Sequence, residues 1–401
     1  MLILVILSIL TPVDEGRHQL EILSKLIMRI QKIIAFAVVC LFAMPVFAQT
    51  SNVKMKWWNP SKNEFPVLEG QGWSKGLQNF YDRIPVRAEN ALRKPVWSLS
   101  RNSAGLKFRF KTKARQIVVR YIVEKKNFAM LHFPATGVSG VDLYSPNNDG
   151  SWAWANGKYK FGDTITYTFS NLDLDTKKYK DGREYHLYLP LYNNVSWLEV
   201  GVAENADFLP LAPRKEKPVI VYGTSIAQGG CASRPGMAWT AILERKLGIP
   251  MINLGFSGNG QLEKELIDLI AEIDASVFVL DCLPNLGGFK PEEVSKRILA
   301  SVNTLRKKHP KTPIILTDNA GFIENRMDAA VRRTVTTSNQ TSAAAYQQLV
   351  KAGIKDIYQL STQEIGLGTD GTVDGSHPTD LGMLRYATAY ETLIKKILGT
   401  K

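Results

Sequence analysis

Ser225 stands two residues beyond the apolar run PVIVYG, residues 218–223, and apolar residues return at helical spacing from Met237 to Leu247. A strand ending there brings its backbone to the carboxyl edge of a sheet, where the crevice of an open α/β sheet lies. A hydroxyl in that crevice can attack an acyl carbon if a base and an oxyanion site stand beside it. Gly-Thr-Ser is also ordinary turn chemistry, so the serine needs partners elsewhere in the chain. The chain has five histidines, and His377, in the run DGSHPTDLG, is the best general base among them. Asp374 precedes it by three residues. A carboxylate so placed can orient the imidazole and stabilise its cation, whereas a lone histidine near a helix start is more often structural.

Two further stretches offer places for a developing negative charge. GFSGNG, Gly255–Gly260, follows the short run MINL and precedes the amphipathic pattern QLEKELIDLIAEI. Its glycines permit positive φ and close backbone approach, which allows the Gly258 N–H to face a substrate oxygen. Asn259 is a candidate substrate contact or a cap for the following helix. VFVLDCLPN, from Val277, reads as a buried central strand with Asp281, Cys282 and Asn285 at its carboxyl end. The Asn285 amide either donates to an oxyanion or bonds its own loop backbone.

These stretches need a scaffold that delivers strand ends to one edge. Residues 218–401 alternate apolar runs with helical patterns, the last opening at Pro378 and running to Leu398, which argues a parallel α/β sheet. Residues 50–210 differ. LKFRFKT (106–112), QIVVRYIVE (116–124), TITYTF (164–169), REYHLYLPL (183–191) and SWLEVGVA (196–203) are short alternating runs separated by polar turns. They predict an antiparallel β-sandwich, with the charged, Pro-bearing LAPRKEKP, 211–218, as linker. SWAWANG places Trp152 and Trp154 on one strand face, a candidate stacking platform for sugar rings, although tryptophan also fills sandwich cores. HFPATGVSGVDLY, 132–144, is Gly-rich and is expected to form a loop reaching the catalytic crevice.

The order Ser225, Gly258, Asn285, Asp374–His377, each at a strand end, resembles the SGNH/GDSL hydrolases over roughly residues 216–398. The resemblance implies a flavodoxin-like three-layer domain and a serine nucleophile at Ser225. It also implies an oxyanion hole built from Ser225, Gly258 and Asn285, and a His377–Asp374 base. Thr224 replaces the aspartate of the family's first block and is a candidate substrate contact. The third block, usually Gly-x-Asn-Asp, reads here Asp281-Cys-Leu-Pro-Asn285. The third donor is therefore either Asn285 or backbone groups near Asp281 and Cys282. The preceding jelly-roll-like sandwich resembles the ancillary domain of two-domain SGNH carbohydrate esterases.

The first 48 residues read as an upstream extension followed by a signal peptide starting at Met28. Arg29 and Lys32 form its basic region, Ile33–Ala43 its apolar region, and Val46-Phe47-Ala48 its cleavage site. The apolar run is short of the roughly 20 residues a spanning helix needs, so no membrane span is expected after cleavage. Export leaves Cys231 and Cys282, and an oxidising compartment favours a disulfide between them over two free thiols. Net charge is +13, but the basic residues are spread out and no nucleic-acid motif appears. No phosphate loop or metal-binding cluster is found, so no cofactor or metal is expected. The expected substrate is an acylated glycan or another small ester. Arg326, in the polar stretch Asp318–Asn339 read as a loop, is a candidate contact for a sugar carboxylate. The alternatives are a short-chain acyl lipase or thioesterase-like enzyme and a non-catalytic carbohydrate-binding protein.

Overall fold

The computed structural model describes residues 20–32, 54–173, 178–321 and 327–400. Met1–Val53 and Lys54–Lys401 are separate compact units. In the first, residues 20–32 are helical and exposed; the apolar region and cleavage site proposed for the leader lie outside the described residues. No helix among the described residues is long and apolar enough to cross a membrane.

The front of the second unit is a sandwich of short strands: β1 (Met55–Trp58), β2 (Leu68–Glu69), β3 (Lys107–Thr112), β4 (Ile117–Val123), β5 (Asp142–Pro146), β6 (Trp152–Ala155), β7 (Gly157–Lys160), β8 (Ile165–Phe169), β9 (Arg183–Tyr188), β10 (Val195–Ala203) and β11 (Phe208–Pro210). They form two antiparallel sheets, β1-β10-β4-β8-β7 and β11-β3-β9-β5-β6, with β2 on β3. The two-residue period sorts the core. In β4, Ile117, Val119, Tyr121 and Val123 are buried between the sheets while Val118, Arg120 and Ile122 are part-exposed. Two short helices interrupt this half, α1 (Lys94–Ser100) and α2 (Ala135–Val138).

The second half alternates strand and helix: β12 (Val219–Gly223), α3 (Ser225–Gln228), α4 (Trp239–Leu247), β13 (Met251–Gly255), α5 (Lys264–Ile270), β14 (Val277–Asp281), α6 (Pro291–Lys308), β15 (Ile314–Thr317), α7 (Ala329–Lys351), β16 (Ile357–Leu360), α8 (Thr362–Ile365) and α9 (Asp380–Leu398). The sheet is parallel in the order β13-β12-β14-β15-β16, the doubly wound flavodoxin-like arrangement. Its strands β12, β13 and β14 are buried on both faces, which is why they read as largely apolar runs. Helices α4 and α9 cover one face with Trp239, Leu243, Met383, Tyr386 and Tyr390. Helices α5, α6 and α7 cover the other with Leu266, Ile270, Ile298, Val302 and Leu349.

Three expectations need correction. The stretch Asp318–Asn339 is not a loop throughout: α7 begins at Ala329 because Asp328 caps it, accepting from the Ala330 and Val331 amides at 3.0 Å. The stretch 132–144 supplies α2 and the first part of β5, not a loop alone. Cys231 and Cys282 are free thiols. Alternation along β14 sends Cys282 to the α5–α6 face, where its Sγ lies 3.6 Å from the Tyr222 carbonyl. Cys231 follows α3, beside Asp374 and Tyr192.

The presumed linker is pinned rather than free. The Arg214 amide and Nε both donate to Glu69 at 3.0 Å, and its guanidinium also meets Glu244 of α4. Lys107 of β3, wholly buried, lies 3.2 Å from Glu69 and pairs with Glu244 as well. Burial pushes the Glu69 carboxyl up, but Lys107 and Arg214 outweigh it and hold the group well below the ordinary carboxylate range. Each buried charge has opposite-charge partners here, and losing one partner from such a group typically costs about 3–5 kcal/mol.

Candidate active site

Ser225 is the first residue of α3, so its own N–H is one of the helix's initial unpaired donors. Thr224 serves as the N-cap: its Oγ1 accepts from the Ile226 amide at 3.3 Å. Ser225 Oγ lies 2.8 Å from His377 Nε2, and His377 Nδ1 lies 2.7 Å from Asp374 Oδ2. The other Asp374 oxygen accepts from the Ser376 and His377 amides at 2.9 and 2.8 Å. The Asp-x-x-His turn thus fixes the carboxylate on the backbone before it meets the ring. Partial burial pushes the Asp374 carboxyl up, but the hydrogen bonds from the His377 ring and the two amides prevail and keep it below its ordinary range. The Ser233 amide donates to Asp380 Oδ1 at 3.0 Å, tying the segment after α3 to the start of α9.

The loop Gly255–Gly260 runs past this group. It turns at Phe256–Asn259, closed by Asn259 N–H donating to Phe256 O at 2.8 Å. Gly258 occupies the third position of that turn at φ +69°, a conformation that favours glycine. Gly260 is needed for a different reason: a Cβ there would stand 2.3 Å from the carbonyl oxygen of Gly223, two residues before Ser225. Five of the loop's six amides donate within the protein, to Asn253, Gly223, Gln228, Phe256 and Asn285. The Gly258 amide alone makes no hydrogen bond among the described residues. Asn285, in a 3-10 turn after β14, accepts from the Gly260 amide with Oδ1 at 3.1 Å. That bond orients its amide and leaves Nδ2 without a hydrogen-bond partner among the described residues.

Other residues singled out in the sequence stand elsewhere. Asn259 caps no helix; its side chain bonds Ser257 O and accepts from Arg93. Trp152 and Trp154 do share a face; Trp152 is turned toward the α/β half, whereas Trp154 remains 47% exposed. Trp152 Nε1 donates to Arg245 O at 3.2 Å, and Trp154 Nε1 donates to Asp142 Oδ1 at 2.6 Å with the Arg234 guanidinium 4.3 Å above its ring. Neither contacts Ser225 or His377. Arg326 lies outside the described residues. The segment from 132 does reach the nucleophile region: Phe133 packs edge-on against Tyr192, whose hydroxyl donates to Ser225 O at 3.2 Å, and Thr136 Oγ1 donates to Ser233 O at 2.7 Å. Among the described residues no group of three or more His, Cys, Asp or Glu could hold a metal ion.

Asp281 is a buried acid beside this site. It pairs in register with Gly223 and faces Tyr386 and Tyr390 of α9. Its carboxyl oxygens are buried, and the Tyr390 hydroxyl, hydrogen-bonded to Thr317 Oγ1 at 2.6 Å, stands beside them. Burial, only partly offset by the Tyr390 hydroxyl, pushes the carboxyl from 3.8 to about 7. The unfolded chain therefore ionises this group well before the folded one does. Its contribution to stability is fully present below pH 3.8, falls as pH rises toward about 7, and is flat above. At about 1.36 kcal/mol per pKa unit, the whole decline amounts to about 4 kcal/mol. Asp281→Asn is expected to remove it. Urea midpoints of wild type and variant between pH 4 and pH 8 should diverge in the variant's favour, and parallel curves would contradict the assignment.

The parallel sheet, the sandwich before it and the chemistry at the strand ends are those of a carboxylic ester hydrolase. The chain matches the GDSL-like lipase/acylhydrolase family over residues 216–395 and the N-terminal domain of SGNH-hydrolase-type esterases over residues 55–208. It belongs to that GDSL-like lipase/acylhydrolase family. A protein of Bacteroides ovatus ATCC 8483, named for its likeness to GDSL lipases, is 35% identical, covers 87% of this chain and 99% of its own, and superposes with a TM-score of 0.78. The salicylyl-acyltransferase SsfX3 of a tetracycline biosynthetic pathway shares the fold at 18% identity, 86% and 99% coverage and a TM-score of 0.65. A family two carbohydrate esterase of Cellvibrio japonicus shares it at 11% identity, 86% and 98% coverage and a TM-score of 0.52. A comparison with curated protein sequences finds no match.

Proposed function

We propose that this chain is an exported serine esterase that removes O-acetyl or other short acyl groups from a polysaccharide or oligosaccharide. The observation that carries the reading is the hydrogen-bonded series Ser225–His377–Asp374 beside the unengaged Gly258 amide. His377 Nε2 takes the hydroxyl proton as Ser225 Oγ attacks the acyl carbon. The oxyanion is met by the Ser225 and Gly258 amides, with Asn285 Nδ2 as third donor. Collapse of this intermediate expels the sugar alcohol, which takes the proton from His377, and water then repeats the sequence on the acyl-enzyme. Asp374 holds Nδ1 protonated, leaving Nε2 free to accept. The carbohydrate reading draws support from the two-part fold shared with the Cellvibrio japonicus esterase, and export from the basic-apolar-small pattern of residues 28–48.

A panel of O-acetylated polysaccharides and p-nitrophenyl esters of increasing chain length tests the substrate class. Acetate release from a glycan, with kcat/KM falling as the acyl chain lengthens in the simple esters, is the expected outcome. Preference rising with acyl length, and no acetate from any glycan, would point instead to lipid-type esters. An exported form beginning at Gln49 tests the leader.

A further inference from the structure

We infer that the front half of the chain belongs to the catalytic apparatus, because it holds the oxyanion loop Gly255–Gly260 in place through Arg83, Arg93 and a Leu191–Gln228–Ser257 relay. The inference rests on the proposed role of Ser225 and Gly258 and adds residues that touch neither substrate nor nucleophile oxygen.

Arg83 fixes the start of the loop. It is wholly buried and has no carboxylate in ion-pair reach among the described residues. Its guanidinium donates only to carbonyls: Asn253 O and Gly255 O at 3.0 Å on one side, Asn102 O at 2.8 Å and Leu99 O at 2.6 Å on the other. A buried charge with no carboxylate beside it is costly unless it is hydrogen-bonded; four of the five N–H donors are engaged, and one group staples β13 to the chain around α1. Phe256, the next residue of the loop, lies under the same guanidinium, 4.9 Å from ring centre to Cζ.

Arg93 fixes the end. Its Nη1 donates to Asn259 Oδ1 at 2.9 Å and its Nη2 to Asn259 O at 3.3 Å, while Nε donates to Glu263 at 2.7 Å. Glu263 in turn accepts from the Tyr222 hydroxyl at 2.6 Å. Asn259 is the residue after Gly258, so this arginine anchors the side chain and the carbonyl that directly follow the free amide.

The middle is held by Gln228, which is wholly buried. Its Oε1 accepts from the Ser257 amide at 2.9 Å and its Nε2 donates to Leu191 O at 3.1 Å. Tyr192, the neighbour of Leu191, donates to Ser225 O. One short segment after β9 thereby braces both the nucleophile turn and the oxyanion loop. With every other amide of the loop engaged, only the Gly258 N–H remains to receive a developing charge. A displacement of about 1 Å from such a geometry can cost about 100-fold in rate.

Arg93→Ala is the cleanest variant, since the side chain is 40% exposed and its loss opens no core. Gln228→Met keeps the volume and removes both bonds. Each is expected to lower kcat per titrated active site by about 10- to 100-fold, with KM within about twofold and the acid limb of the pH profile unmoved. Arg93→Lys, which can still reach Asn259 Oδ1, should recover part of the loss. Lys217→Ala, which removes a remote surface pair with Asp274, should match wild type. Amide hydrogen exchange over residues 254–262 gives a readout independent of turnover, expected at least roughly tenfold faster in both variants. Unchanged exchange, or faster exchange with undiminished kcat, overturns the inference. Full turnover by Ser225→Ala would instead strike the serine reading, while the exchange data would still decide how the loop is held.

Discussion

Ser225→Ala is expected to lower kcat by about 10⁴- to 10⁶-fold with little change in KM, because the variant binds substrate but has no atom to form the acyl-enzyme. His377→Ala should fall into the same range, since the hydroxyl it would activate keeps its proton. Combining the two should cost little more than either alone. Both act in one step, and once the step is lost the second removal has nothing left to take away. What survives comes from the oxyanion donors and substrate binding, typically about 10³- to 10⁴-fold over water. Initial rates on p-nitrophenyl acetate, normalised by the amount of folded protein, measure all three. A double variant whose loss approaches the product of the two single losses, or a Ser225→Ala protein at wild-type rate, would contradict a shared mechanism.

Asp374→Asn is expected to reduce kcat by about 10⁴-fold, and to be worse than Asp374→Ala. Asp374 Oδ1 is already committed to the Ser376 and His377 amides, so an asparagine would keep its oxygen there and present an NH₂ group to Nδ1. The ring could accept that bond only with its proton on Nε2, the nitrogen that must receive the serine proton. Alanine removes the anchor without enforcing the wrong tautomer. The pH dependence follows from the same contacts. Asp374 sits below its ordinary range, so it stays ionised as pH falls from neutral into mildly acid solution. Asp374 is therefore expected to add no proton uptake to the acid limb of kcat/KM in mildly acid solution, and the limiting slope of the logarithmic plot should not exceed one. A slope of two would contradict an ionised Asp374.

The scaffold was legible because its signals are local. The apolar run at 218–223 and the alternating runs of the first half became strands with nearly the expected bounds, and Gly258 and Gly260 are used for positive φ and close approach respectively. Asp374 and His377 were readable as a pair because three residues separate them in one turn. The braces of the oxyanion loop carry no such mark: Arg83 meets β13 across 170 residues and Gln228 meets Leu191 across 37. A buried arginine bonded only to carbonyls looks, in sequence, like any surface arginine. The cysteine pairing failed for a reason that strand parity contains. Val277, Val279 and Asp281 face one side of the sheet, so Cys282 must face the other, away from the segment that carries Cys231. The paired tryptophans show the reverse limit: alternation gives their common face, but only the neighbouring half decides whether that face meets solvent or protein.

The cluster around Lys107 and Arg214 bears on how such a chain can change over time. Glu69, Glu244 and the two cations come from opposite halves and from the segment joining them, and each neutralises the others in a largely buried cluster. Exchanging the front half for that of a distant relative would take Lys107 and Glu69 away and leave Glu244 with Arg214 alone. The halves are bound to be inherited together, and a graft of either one would have to bring its partner's charges along.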